Sequence, residues 1–209
     1  MHLLAGRWAS RFALYAVGVV AAGLAWVTGV GGVPHLHGLG RRRVAVDAYR
    51  AIVDKRDQRA FLDRPIADDA LGRILQAGRM TGSSKNVEPN RFVVVRDRAL
   101  LEALAATSSF ARCIARAAVT IVLVQTREHA FDAGRCAQNM MLAAWNDGIG
   151  SCPAHLPEAE VARLLGIPPD IVVGRVIGFG YVDPERASPP PSVARRRLSL
   201  TELMHRDRW

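Results

Sequence analysis

Residues 119–124 read Val-Thr-Ile-Val-Leu-Val, an uncharged run in which β-branched residues dominate. That composition predicts a strand in the interior of a sheet, and a sheet interior has to be covered by other elements. Arg91–Arg96, which contains Phe-Val-Val-Val, predicts a short buried strand, and Ile171–Val182 predicts a third carrying Gly174, Gly178 and Gly180. Most of the remainder is helical by its apolar spacing. Val46, Tyr49, Ile52 and Val53 share one helical face and predict a first helix ending near Arg56. Pro65 and the pair Asp68–Asp69 open a second, with Leu71, Ile74 and Leu75 on its buried side. Leu100–Ala106 is helical, and Asp132–Asp147 predicts a long helix with the inner stripe Ala137, Met140, Met141 and Ala144. Glu158–Leu165 predicts a short helix closed by Gly166. Helices outnumber and surround the strands, so the expected class is α+β with a central sheet.

With 209 residues, half of them hydrophobic, the chain can bury one sizeable core and carry an appendage. The formal charge of +9 invites a nucleic-acid reading, but five of those charges (Arg7, Arg11, Arg41, Arg42, Arg43) sit in residues 1–43, which hold no acids. The remaining surplus suits an enzyme whose ligand is a phosphate. No aromatic-and-basic RNA-reading motif and no Cys/His finger spacing occurs, so no nucleic-acid partner is expected. Cys113, Cys136 and Cys152 are too few and scattered for a disulfide framework or a zinc site. They read as small core residues in a reducing compartment.

Residues 1–43 form an apolar and basic extension ahead of a compact domain at 44–209. The uncharged run 12–33 is long enough to cross a bilayer, with Arg7 and Arg11 on one side and Arg41–Arg43 on the other. A membrane anchor and an upstream start codon are both open readings. A cleaved signal peptide is disfavoured, because no small-x-small site follows the run. The expected location is the cytoplasm, tethered to the inner membrane where the segment inserts. Pro34–Gly40 reads as a linker, and its His35 and His37 lack a third metal ligand nearby.

Four clusters carry the residue types a phosphorylated ligand needs. The first is Lys55-Arg56-Asp57-Gln58-Arg59-Ala60-Phe61, three cations within five residues at a helix end. Taken alone it reads equally as a solvated helix terminus whose cations offset the negative pole. The second, Gly82-Ser83-Ser84-Lys85-Asn86, offers hydroxyl, amide and backbone N–H groups just before Glu88-Pro89-Asn90-Arg91-Phe92, and alone is only a helix-to-strand loop. The third is Gly148-Ile149-Gly150-Ser151-Cys152-Pro153-Ala154-His155, after the long helix, and the fourth is Arg195-Arg196-Arg197 behind Pro189–Pro191.

The order and spacing of these clusters, with Ala137-Gln138-Asn139-Met140-Met141-Leu142-Ala143-Ala144 between the second and third, resemble the FMN-binding nitroreductase family from about Val46 to Trp209. The resemblance implies a central mixed β-sheet surrounded by helices, with FMN as cofactor at a homodimer interface and ligated from both subunits. It implies that Lys55, Arg195 and Arg197 hold the phosphate, with Arg56 and Asp57 beside them. Arg59 would sit at the pyrimidine edge, where a cation stabilises the reduced ring. Ser83, Ser84 and Asn86 would contact ribityl oxygens or the ring's polar edge, and Pro153, Ala154 and His155 would line one face. It implies further a ping-pong transfer of hydride from NAD(P)H to a small oxidised acceptor, with no catalytic side chain and no metal. Three positions depart from the family pattern. Asp57 stands where Ser is common and would repel a phosphate unless Lys55 or Arg56 pairs with it. Glu88 and Asn90 make the substrate side more polar. A membrane-tethered reductive dehalogenase and a non-catalytic flavin-binding module are the alternative readings. A flavin that NAD(P)H fails to bleach would mark the latter.

Overall fold

The computed structural model describes residues 47–187 and 197–209; the expectations about residues 1–46, the run 12–33 included, and about Arg195 lie outside these. In chain order the elements are α1 (Ala48–Asp54), α2 (Asp68–Arg79), a single 3-10 turn (Ser84–Asn86), β1 (Asn90–Val95), α3 (Arg98–Ala106) and α4 (Arg112–Ala115). There follow β2 (Val119–Gln125), α5 (Ala130–Asn146), β3 (Ile149–Ala154), α6 (Glu158–Leu165), β4 (Val172–Tyr181) and α7 (Leu200–Leu203).

The four strands form one sheet in the order β1-β2-β4-β3, and every ladder in it is antiparallel. Among the described residues parallel pairing enters only through the isolated bridge between Asp57 and Ser151, so the expected mixed sheet is mixed at that point alone. All seven residues of β2 are buried, as its composition predicts. Alternate side chains point to opposite faces. Val119, Ile121 and Leu123 meet Ile74 of α2 and Met140 of α5 on one side, while Val122 and Val124 meet Leu101, Leu104 and Ile114 on the other. The described domain is therefore three layers deep, and each fully buried aliphatic side chain contributes about 1.5–3 kcal/mol of transfer free energy.

Three elements differ from expectation. β1 lies at an edge of the described sheet and is mostly half-exposed; only Val95 is buried. β3 was not predicted, because Gly-Ser-Cys-Pro reads as loop. Its Pro153 is tolerated at the margin of the sheet, where a ladder partner is needed on one side only. The first helix is shorter than Val46–Arg56, and its apolar face is not covered by the described residues: Ala51 is buried, whereas Tyr49 is 71% and Ile52 58% exposed.

One glycine pair brings the first cluster onto the sheet. Gly150 of β3 and Gly180 of β4 are register partners. A Cβ on Gly150 would lie 3.0 Å from the Gln58 Cβ, and one on Gly180 would lie 2.9 Å from the Phe61 Cβ. With no side chains at these two places, residues 57–62 lie flat across the strand ends. The Gln58 N–H donates to the Ser151 carbonyl at 2.9 Å and the Leu62 N–H to the Tyr181 carbonyl at 2.8 Å.

Candidate functional site

The segment so held carries Asp57 and Arg59, and Lys55 and Arg56 lead into it from α1. Lys55 caps α1 and turns its side chain inward, where it is 8% exposed. Its ammonium pairs with the Asp57 carboxylate and lies 3.5 Å from the Met141 Sδ of α5. The repulsion that Asp57 threatens is thus neutralised at its source, and the pair is close to uncharged as a unit. Arg56 Nη1 donates to the Val53 carbonyl at 2.6 Å and the Lys55 carbonyl at 2.7 Å, which ties off the carbonyl end of α1. Its Nε is buried without a partner in the protein, and so is the Oε1 of Gln58. Buried polar atoms are rarely left so, and Arg56 lines a cavity in which a ligand could complete it.

Lys55, Arg56 and Asp57 line a cavity of about 610 Å³ together with Ile52, Val53, Gln138 and Arg197. Three cations and one carboxylate face it, a balance that suits a dianion. Arg197 reaches this cavity from the far end of the chain, as its place in the fourth cluster predicts. Arg59 is exposed, and its charge is felt at the buried thiols of Cys113 and Cys152. β3 leads from Ser151, bridged to Asp57, to Pro153 and Ala154, with His155 exposed just beyond its end. Clusters one and three and Arg197 of the fourth are therefore brought together.

The second cluster stands apart within the chain. The Ser84 N–H donates to the Asp132 carboxylate at 3.0 Å in the first turn of α5, and Lys55 meets Met141 nine residues further along the same helix. At 1.5 Å rise per residue these two contacts are about 14 Å apart. The loop is strained: Lys85, Asn86 and Glu88 have φ of 52°, 54° and 47°, conformations that cost non-glycine residues of order 1 kcal/mol or more each. Such strain persists only where surrounding contacts impose it. The Glu88 N–H donates to the Ser83 hydroxyl at 2.9 Å, and buried Asp132 holds Ser84 from below. Asp132 also lies 3.7 Å from both the His129 imidazole and the Arg135 guanidinium.

Asp132 and Gln125 are contributors that sequence reasoning missed. Gln125 is buried, donates to Asn90 Oδ1 at 2.8 Å and to the His129 carbonyl at 3.1 Å, and accepts from the His129 N–H at 3.1 Å. It thereby fixes the entry to α5 from which Asp132 projects. Asn90, read as a polar substitution on the substrate side, spends its side-chain oxygen on this contact. An acid in the first turn of a helix is the one signal that pointed to Asp132, and it is a common feature of helices in general.

Comparison with known proteins bears on this arrangement. The sequence model of the nitroreductase family matches residues 52–112 and 109–181. A protein of Archaeoglobus fulgidus, provisionally named NADH dehydrogenase/NAD(P)H nitroreductase, is 30% identical over 153 residues, which cover 67% of this chain and 88% of that protein. A solved structure of the same provisional name from Bacteroides thetaiotaomicron is 26% identical, with a TM-score of 0.68, and the match covers 82% of this chain and 100% of that one. The NADPH:FMN oxidoreductase of Vibrio harveyi, solved with NAD+, shares the fold at a TM-score of 0.67 and 23% identity, with 77% of each chain covered.

Proposed function

The chain belongs to the nitroreductase family, and on that premise we propose that it is an FMN-dependent oxidoreductase passing hydride from NAD(P)H to a small oxidised acceptor, such as a nitroaromatic or a quinone, in ping-pong order. The observation that carries the reading is the cavity of about 610 Å³ lined by Lys55, Arg56 and Arg197, with the unpartnered Arg56 Nε on the segment that lines it. FMN, when bound, supplies the hydride chemistry, and the protein supplies placement and electrostatics. Arg197 and Arg56 bind the phosphate, joined by Arg195, while Lys55 holds Asp57 neutral beneath it. Arg59 places a positive charge at the pyrimidine edge. Pro153, Ala154 and His155 present backbone groups to one face of the ring, and Ser83, Ser84 and Asn86 present polar groups from the strained loop.

The same reading makes the protein a homodimer with the flavin ligated from both subunits. Two observations support it. The Ser83–Asn86 loop and the Lys55–Asp57 segment sit at different levels of α5, and the described residues leave apolar surface exposed. Tyr49 and Ile52 of α1 are exposed, as are Leu198, Leu200, Leu203, Met204 and Trp209 around α7, a helix with no buried residue. Among the described residues no helix is long and apolar enough to cross a membrane. We take residues 44–209 as the unit that folds and binds the cofactor.

The test is the visible spectrum of purified protein before and after anaerobic NADPH or NADH. A flavin spectrum that bleaches on addition is the expected result. A protein that takes up no FMN, or whose bound flavin neither nucleotide bleaches, would overturn the proposal.

A further inference from the structure

Cys113 and Cys152 are 39 residues apart in sequence and belong to different elements, α4 and β3. In the fold their sulfur atoms are 3.0 Å apart, both as free thiols, in a core where Cys113 is 4% and Cys152 1% exposed. A third thiol, Cys136, lies on the other side of the sheet among the residues of α2 and α5. The approach has a structural cause. Cys152 is the register partner of Gly178 on β4, and a Cβ there would stand 3.1 Å from the Ile114 Cδ1 and 3.3 Å from the Ala117 Cβ. Glycine at 178 lets α4 settle onto the sheet and brings Cys113 over Cys152.

We propose that Cys113 and Cys152 are a redox pair that closes to a disulfide on oxidation by a hydroperoxide and reopens under thiol reductants. The separation is about 1 Å longer than a covalent S–S bond of ~2.05 Å, so closure needs a small adjustment of a four-residue helix. The electrostatics divide the roles. The contact with Cys152, and the Arg59 charge after it, hold the Cys113 thiol below its ordinary range against the opposing effect of burial. Cys152 is pushed up by the same contact and by burial, with Asp57 opposing Arg59 there. Cys136 is raised to about 11 by burial, which its contact with Thr81 only partly offsets. Cys113, which is also the more exposed of the two and lies on the short helix that has to move, is taken as the attacking sulfur.

Its thiolate attacks one peroxide oxygen: the S–O bond forms, the O–O bond breaks, and the departing hydroxide takes a proton to leave as water. The Cys152 sulfur then attacks the sulfenic sulfur, the S–S bond forms, the S–O bond breaks, and a second water leaves with the Cys152 proton. Two thiols and one peroxide become one disulfide and two waters. A cavity of about 220 Å³ lined by Phe61, Ala115 and Arg116 opens beside α4, and Phe61 belongs to the core cluster that holds both thiols. The pair needs no bound cofactor to form and is independent of the flavin reading.

The experiment exposes the full reduced chain to hydrogen peroxide, or to diamide as a second oxidant. Remaining thiols are then alkylated under denaturing conditions, and the protein is mapped by mass spectrometry. The expected result is loss of two of the three thiols, a peptide pair joined through Cys113 and Cys152, and full return of alkylation after dithiothreitol. Cys136→Ser should leave that link intact. Full alkylation of Cys113 and Cys152 after both oxidants, a link through Cys136, or oxygen addition without a link would each overturn the proposal.

Discussion

α5 and α1 both carry an apolar stripe at helical spacing, and both border the candidate site, yet the chain treats them oppositely. On α5, Ala137, Met140, Met141 and Ala144 are buried against the sheet and α2. On α1 only Ala51 is buried, and Tyr49 and Ile52 face outward. The same pattern thus marks an interior in one helix and an unfilled surface in the other. A seven-residue helix has little stability of its own and relies on packing. The exposed face of α1, like a C-terminal helix that buries nothing, has no cover among the described residues, and a dimer reading would supply one.

Substitution on the two stripes separates these cases. Met140→Ala removes a fully buried side chain and should cost about 2–5 kcal/mol in a denaturant titration while leaving the oligomeric mass unchanged. The double variant Tyr49→Ser with Ile52→Ser should instead shift the dimer toward monomer. Burying two such side chains at an interface is worth about 1.5–3 kcal/mol each, so the dissociation constant should rise by at least a decade in concentration-dependent light scattering. An unchanged mass at every concentration would make α1's face ordinary surface.

The next contrast lies within the cavity, between its two ends of the chain. Arg197→Ala removes a cation that only a phosphate would engage, whereas the α1 side keeps Lys55 and Arg56. Charge-assisted hydrogen bonds contribute about 1.5–3 kcal/mol, so FMN affinity should fall one to two decades and riboflavin affinity should hold. Equal losses for both flavins, measured by fluorescence titration, would make Arg197 a structural residue.

What could be read ahead of the fold follows a physical division. β2, β4, α2, α5 and α6 announce themselves because their patterns are local: a β-branched run, an apolar stripe, an acidic first turn, Gly166 at φ 64° ending a helix. Clusters of charge around Lys55 and Arg197 were visible for the same reason. The bond from Ser84 to Asp132 and the approach of Cys113 to Cys152 join residues 48 and 39 positions apart, and no single window contains either. β3 escaped because its strand character comes from β4 and the Asp57 bridge rather than from its own residues. The exposure of α1 escaped because hydrophobic spacing states which face seeks burial without stating what will cover it.

The smallest expected effect concerns Asp57, where this chain departs from the family's usual serine. Lys55 is nearly buried while Asp57 is 38% exposed, so the pair is half in solvent and its net contribution is at most about 1 kcal/mol. Asp57→Ser would free the Lys55 ammonium for a ligand in the cavity that both residues line. Removing one negative charge beside a bound dianion and releasing one positive charge act in the same direction. FMN should bind more tightly by up to about fivefold, with the gain shrinking as salt is raised because the groups are partly exposed. Riboflavin, which lacks the phosphate, should show no such gain. An Asp57→Ser protein that binds FMN more weakly would mean that the Lys55–Asp57 pair positions the segment for binding. The carboxylate would then be part of the site's scaffold, and the charge it brings would be the lesser effect.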